Sequence, residues 1–181
     1  MPLKRYIQKL ILNRSDAPRE HKSYCFDTAR SVGIVLPVTD ENSEEAFGIL
    51  KSALKKYSIP HSGIAIVCTK KPIGMFWCIS DSEMTVINRN EVNWIGLLSN
   101  EQDSYRFLKH NFDIAINLSV DGNFTAEYIM RSSRAYFKIG FGNENDNIYD
   151  MSMRGHGEKE ILTQTDLANQ IVQYLSTIKS R

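Results

Sequence analysis

The sequence lacks most of the features that mark specialised protein classes. Its three cysteines, Cys25, Cys68 and Cys78, form no C-x-x-C pair and are odd in number. That argues against a disulfide scaffold and for a reducing compartment, with the cytoplasm as the expected location. No apolar run approaches the roughly 20 residues that a helix needs to span a bilayer. The opening segment MPLKRYIQKLIL has charges but no separate apolar region and no small-residue cleavage site, so it does not read as a secretion signal. Net charge is only +1, which leaves no global excess to draw the whole protein to nucleic acid. Internal repeats and low-complexity tracts are missing. So is a glycine-rich phosphate loop. The segment Pro37-Val38-Thr39-Asp40-Glu41-Asn42 carries neither G-x-G-x-x-G nor the glycines and Lys-Ser/Thr pair of a P-loop, and Asp40 and Glu41 would repel a phosphate.

What is present is a globular composition. The 181 residues are 42% hydrophobic and 24% charged, which fits one domain with a sizeable core. Charge is unevenly spread. Lys4, Arg5, Lys9, Arg14, Arg19 and Lys22 stand against Asp16 and Glu20 in residues 1–22, a net of +4, so the other 159 residues sum to −3. Residues 3–13 place Leu3, Ile7, Leu10 and Ile11 on one helical face. Asn13–His21 is polar, contains Pro18 and reads as a linker. The expected organisation is a basic helix and linker over 1–22 and one α/β domain over 23–181.

Within that body, strand and helix signals alternate. Ser31–Val38 (SVGIVLPV) and Gly63–Thr69 (GIAIVCT) are continuous apolar runs of strand length, suited to burial on both faces of a parallel sheet. Between them, capping oxygens at Thr39, Asp40 and Asn42 precede a helical pattern of Ala46, Phe47, Leu50, Ala53, Leu54 and Tyr57, and Pro60 stops it. This strand, helix and strand make a right-handed βαβ unit. Residues 75–79 and 84–88 are strand-like and could form either a hairpin or a strand with an irregular approach. Ser99–His110 predicts a short helix with Tyr105 and Leu108 inward, and Phe112–Leu118 (FDIAINL) a third strong strand. Asn123–Ser132 reads as a helix burying Phe124, Ala126, Tyr128 and Ile129. Ala135–Gly140 reads as a strand and Ile148–Met153 as a short edge strand. Thr163–Ile178 closes as a helix capped by Thr163 or Thr165. The expected fold is α/β: three layers, with helices on both faces of a mostly parallel sheet of about five or six strands.

Ligands of such sheets bind beyond the carboxyl ends of the strands, where strand order reverses. The candidate loops follow Val38, Thr69 and Leu118. Thr39, Asn117, Ser119 and Asp121 are therefore candidate ligand-binding residues. The competing readings are helix capping for 39–42 and a turn for Asp121-Gly122 with Asn123 as a cap. His156, in Arg154-Gly155-His156-Gly157-Glu158, completes the set, because histidine titrates near neutrality and its flanking glycines allow close approach; a solvated loop is the alternative. It has no His or Cys at metal spacing, so no metal is expected. Gly140-Phe141-Gly142 lacks a third glycine, and Asn143–Asp146 lacks the spacing of a calcium loop. Cys68 and Cys78 lie in apolar strands and should be inert core thiols; Trp77 and Trp94 could line a pocket, with core packing as the default. The sequence implies no particular cofactor and assigns no catalytic residue.

The layout SVGIVLPVTDENSEEAFGILKSALKKY, followed by NWIGLLSNEQDSYRFLKHNFDIAINLSVDGNFTAEYIMRSSRAYFKIGFGNENDNIYDMSM, resembles a family of uncharacterised proteins from Bacteroidetes-type bacteria, in which FDIAINLS, a helix and AYFKIG are the most recognisable feature. The resemblance covers nearly the whole chain and supplies no catalytic residues. Over FDIAINLSVDGNFTAEYIMRSSRAYFKIGF the chain is also similar to the N-terminal half of heptosyltransferase-type glycosyltransferases, which implies a Rossmann-like sheet. It departs from them in lacking their glycine-aspartate turn after the first strand. It has no counterpart of the second domain that holds the sugar nucleotide, so sugar transfer by this chain alone is not expected.

Three functions follow as expectations. The first is a non-catalytic protein that binds a partner or a second copy of itself through the basic helix and an exposed strand edge. The second is a small-molecule binder, of nucleotides or sugars, or a weak enzyme, at the carboxyl-end crevice. The third is a protein held at a membrane surface by Lys4, Arg5 and Lys9, although these charges are fewer than a stable anchor normally needs, and a helix docked on the body or on a second copy, or a frayed arm, is the favoured alternative. Nucleic acid has no strong signal.

Overall fold

The computed structural model describes residues 2–68, 81–98, 102–142, 148–154 and 162–178. Six strands form one sheet: β1 (Val32–Val38), β2 (His61–Val67), β3 (Met84–Ile87), β4 (Ile114–Asn117), β5 (Phe137–Phe141) and β6 (Met151–Met153). Their order is β3-β2-β1-β4-β5-β6. Every neighbouring pair is parallel, with Val35 opposite Ile64 on one side and Asn117 on the other. The helices are α1 (Pro2–Leu12), α2 (Glu41–Lys56), α3 (Gln102–Lys109), α4 (Phe124–Ser132) and α5 (Gln164–Thr177).

The uninterrupted apolar run of β1 follows from its central place, since all seven residues are buried and both faces must be apolar. The strand's two faces feed different cores. Ile34, Leu36 and Val38 join Phe47, Leu50, Leu167 and Ile171 beneath α2 and α5. Val35 joins Ile64, Ala115, Phe107 and Ile129 beneath α3 and α4. Local signals start the helices. The Asp40 carboxylate accepts the Asn42 N–H at 3.0 Å, Asn123 Oδ1 accepts the Ala126 N–H at 3.0 Å, and Thr163 and Asp166 form a reciprocal box.

Three strand glycines, Gly33, Gly63 and Gly140, leave no room for a side chain, and of these Gly63 is the one whose Cβ would meet backbone. A Cβ there would lie 2.8 Å from the Ile34 carbonyl oxygen and against the Met84 sulfur. Gly63→Ala is expected to lower stability by about 1–3 kcal/mol, because the backbone oxygen cannot move aside as a side chain would. A urea midpoint unchanged from wild type would show that β1 and β2 can separate at no cost.

Residues 84–87 add to the sheet parallel to β2; residues 75–79, the other half of the expected hairpin, lie outside the described residues. Three expectations need correction. In α3, Phe107 and Ser104 face the core and Tyr105 is 51% exposed, since residues two apart on a helix point to opposite sides. Trp94 is 65% exposed. It rides a turn in which the Asn93 side chain accepts the N–H groups of Ile95, Gly96 and Leu97. Cys68 is exposed, one residue past β2; Cys78 and Trp77 lie outside the described residues.

The N-terminal segment lies against the body. α1 packs on α4, and Gln8 Nε2 donates to the Ile95 carbonyl at 2.5 Å. Beyond it, Ala17 N–H donates to the Arg131 carbonyl and Lys22 N–H to the Tyr136 carbonyl. Only part of the apolar face of the helix is covered by this contact. Ile7 and Ile11 are half-buried, whereas Leu3, Tyr6 and Leu10 stay 66%, 64% and 43% exposed.

Candidate functional site

The order β3-β2-β1-β4-β5-β6 reverses direction between β1 and β4, so the crevice to inspect lies beyond Val38 and Asn117. The protein fills its floor with its own groups. Gln164, at the start of α5 and 5% exposed, reaches between the two strands. Its Nε2 donates to the Pro37 carbonyl at 2.8 Å and the Leu118 carbonyl at 3.0 Å, and its Oε1 accepts the Ser43 hydroxyl at 2.6 Å. These bonds satisfy two strand-end carbonyls and a buried hydroxyl that would otherwise lack these partners.

The predicted residues gather around this plug. The Thr39 N–H donates to Ser43 Oγ at 3.0 Å. Thr39, Asp40, Asp121, Thr163 and Gln164 border a cavity of about 220 Å³. A second, of about 260 Å³, is bordered by Asn117, Ser119, Asp121, Glu127 and Tyr149. Asn117 is fully buried; its Nδ2 donates to the Tyr149 hydroxyl at 2.7 Å and its Oδ1 accepts the Ser119 N–H at 3.0 Å. The Ser119 hydroxyl donates to Asp121 at 3.1 Å and accepts the Asn123 N–H at 3.0 Å. Thus Thr39 and Asp121 share one cavity, and Asn117, Ser119 and Asp121 the other. His156 lies outside the described residues.

The chemistry of this edge is quiet. A nucleophilic serine needs a base that can take its proton; the group that accepts from the Ser119 hydroxyl is the Asp121 carboxylate. Cys68 Sγ accepts from Asn123 Nδ2 at 3.2 Å. Desolvation around the sulfur pushes the thiol pKa up and the Asp121 charge adds to this, outweighing the Asn123 hydrogen bond, so the reactive thiolate is disfavoured. Among the described residues no three His, Cys, Asp or Glu side chains come together as a metal site.

Gln164 and Tyr149 were missed by sequence reasoning. Gln164 stands 121 residues from Ser43 and Tyr149 stands 32 from Asn117. The one available signal for Gln164 was its position directly after the Thr163 cap.

An all-parallel sheet that reverses order at β1 and β4, sandwiched between two helical layers, defines a Rossmann-like α/β protein. A solved structure, the E. coli heptosyltransferase WaaC with ADP, shares this fold with a TM-score of 0.52 and 10% sequence identity; the match covers 83% of this chain and 48% of that one. The chain thus spans about half the length of the enzyme it matches. Comparison with curated proteins finds no match. The chain belongs to a family of unknown function, DUF6913, whose model matches residues 2–178.

Proposed function

We propose that this protein is a non-catalytic binding module that rests on an anionic membrane surface through the face carrying α1. The supporting observation is the placement of its exposed large hydrophobic side chains. Among the described residues these are Leu3, Tyr6, Leu10, Trp94 and Tyr105, and all five belong to elements on the α3–α4 side of the sheet. The Gln8–Ile95 hydrogen bond sets the Trp94 turn beside α1. Basic groups flank the apolar ones: Lys4, Arg5, Lys9 and Arg14 are exposed, and the Lys109 ammonium lies 4.1 Å from the centre of the Tyr105 ring. An interfacial helix has this character, with Leu, Tyr and Trp entering the headgroup boundary and Lys and Arg meeting lipid phosphates. The same charges weigh against a second copy as the occupant, since pairing α1 with itself would set like charges together. No described helix is long and apolar enough to cross a membrane.

The crevice at β1 and β4 supports the non-catalytic part of this reading. Its cavities of about 220 and 260 Å³ fall below the roughly 300–1,000 Å³ typical of small-molecule sites, and Gln164 occupies the floor.

Vesicle flotation tests the proposal. The protein should rise with phosphatidylserine-containing vesicles at low salt, stay behind with neutral phosphatidylcholine vesicles, and be released at high salt. Replacing Leu3, Tyr6 and Leu10 together by serine should reduce binding at least about tenfold, given roughly 0.8 kcal/mol per buried methylene. Wild-type protein that stays free of anionic vesicles at low salt would sink the reading. If it does so while native pull-downs recover a protein complex lost in the triple variant, this face docks a protein instead.

A further inference from the structure

At the opposite, amino edge of the sheet, beneath β5 and β6, a separate cavity of about 390 Å³ is bordered by Asp16, Arg19, His21, Arg131 and Lys138, with Ala17, Pro18 and Ile148 completing its wall. Three of these side chains are cationic and held inside the protein, Arg19 from the N-terminal segment and Arg131 and Lys138 from α4 and β5. Arg19 has a side chain 6% exposed and makes a two-pronged contact with Asp150, at 2.7 and 3.0 Å. Arg131 has a side chain 10% exposed and donates to both Asp16 oxygens, at 3.0 and 3.2 Å. Lys138, in β5, is 3% exposed as a residue, and its ammonium donates to the Arg131 carbonyl at 3.1 Å.

The balance of charge is unequal. Asp150 is shared by Arg19, by the Lys138 backbone N–H at 2.7 Å and by His21 Nδ1 at 2.7 Å. Burial alone would raise the Asp150 carboxyl, but Arg19, the Lys138 N–H and His21 outweigh it and hold it below its ordinary value. It is therefore a charged anion already fully used. Asp16 is 61% exposed, so water screens much of its charge. Lys138 has no carboxylate of its own at hydrogen-bond distance among the described residues. An ammonium offers three donors, and one protein acceptor serves this one.

We infer that this cavity is a binding site for a tetrahedral oxodianion, sulfate or phosphate free or as the phosphoryl group of a larger molecule, with Lys138 as its central donor and Arg19 and Arg131 as its cationic walls. A bound oxodianion would supply acceptors for the remaining donors of the Lys138 ammonium. It would also explain why a lysine is kept at a strand position where an apolar side chain would pack. The site is independent of the membrane reading above, because it lies within the body and uses none of Leu3, Tyr6 and Leu10.

Protonation couples to occupancy. Burial, then the charges of Arg19 and Arg131, bring the Lys138 pKa down to about 7, against the opposing pull of Asp16 and Asp150. The dianion selects the protonated lysine, so affinity falls as pH rises through this value.

Sulfate is the cleaner probe, since it does not titrate in this range. Isothermal titration of the full chain should show one saturable site at pH 6, weakened about 30-fold at pH 8.5 by loss of the competent protonation state. Lys138→Met should abolish that site while leaving flotation on anionic vesicles unchanged, which separates this site from the α1 face. Asp16→Asn, on an exposed side chain, should tighten sulfate severalfold by unmasking Arg131. Glycerol phosphate binding more tightly than inorganic phosphate would assign the site to a phosphate monoester; equal binding would assign it to the free ion. No saturable sulfate binding at pH 6, binding retained in Lys138→Met, or an affinity unmoved between pH 6 and 8.5 would overturn the inference.

Discussion

Lys138→Met should fold and, below pH 7 and without added oxyanion, be more stable than wild type by about 1–4 kcal/mol, the range seen when buried ionic groups give way to apolar ones of similar size. The lysine is 3% exposed, and its depressed pKa of about 7 reflects first its burial and then the nearby Arg19 and Arg131 charges. The direction with pH follows from linkage. Below pH 7 both folded and unfolded chains hold the proton, and the folded state bears the full penalty of a buried charge. Above pH 7 the folded protein releases that proton, whereas the unfolded chain keeps it until near the ordinary value of 10.5. The unfolded state then binds more protons, so wild-type stability gains up to about 1.4 kcal/mol per pH unit from this group across that window. Methionine has no such gain, and the two proteins should converge as pH rises. Urea denaturation at pH 6 and pH 9 measures both quantities. A methionine variant less stable at pH 6, or one whose advantage persists undiminished at pH 9, would mean that the ammonium is better solvated than its burial implies.

The residues behind this effect mark the boundary of what the sequence discloses. β1, β2 and β4 were legible because a strand buried on both faces must be apolar throughout, and SVGIVLPV, GIAIVCT and FDIAINL have no other economical use. The helix starts at Asp40, Asn123 and Thr163 were legible because a cap is a local event, decided within about three residues. The phase of α3 was not. Tyr105 and Phe107 are both aromatic and cannot share a face; Phe107 turns inward because Phe112 waits there, with ring centres 4.9 Å apart, a contact that no period reveals. Trp94 was misplaced for a related reason, as the Asn93 turn that lifts it outward outranks its hydrophobicity. The loop after β4 reached the carboxyl edge as expected, and Asn117, Ser119 and Asp121 lie where the topology predicted a crevice. Lys138 gave no warning. It sits in AYFKIG as a solvent-facing lysine would, and the groups that surround it come from residues more than a hundred positions away and from the end of α4.

Gln164→Leu should be the most damaging single change at the crevice, lowering stability by about 3–5 kcal/mol. Leucine matches glutamine in bulk, so packing alone predicts little. What it removes is the only polar bridge that α5 sends to the carboxyl ends of β1 and β4 among the described hydrogen bonds. The Pro37 and Leu118 carbonyls each lose a donor, and the buried Ser43 hydroxyl loses its 2.6 Å acceptor. Each orphaned buried group costs about 1–3 kcal/mol, and partial relief comes from the remaining Ser43 contacts to Thr39 and Pro37. Gln164→Glu separates this account from a steric one. A carboxylate there can still accept from Ser43 but turns an anion toward two carbonyl oxygens. Its pKa in the folded state must therefore rise above the unfolded value of about 4.3. The variant should be nearest to wild type at acid pH, where the protonated acid donates to one carbonyl, and should lose stability as pH climbs through that raised pKa. Thermal denaturation of both variants between pH 4 and pH 8 decides the matter. If Gln164→Leu melts within a degree of wild type, or Gln164→Glu shows no pH dependence beyond that of the parent, then water already solvates the ends of β1 and β4. The crevice would then be open to ligands despite Gln164.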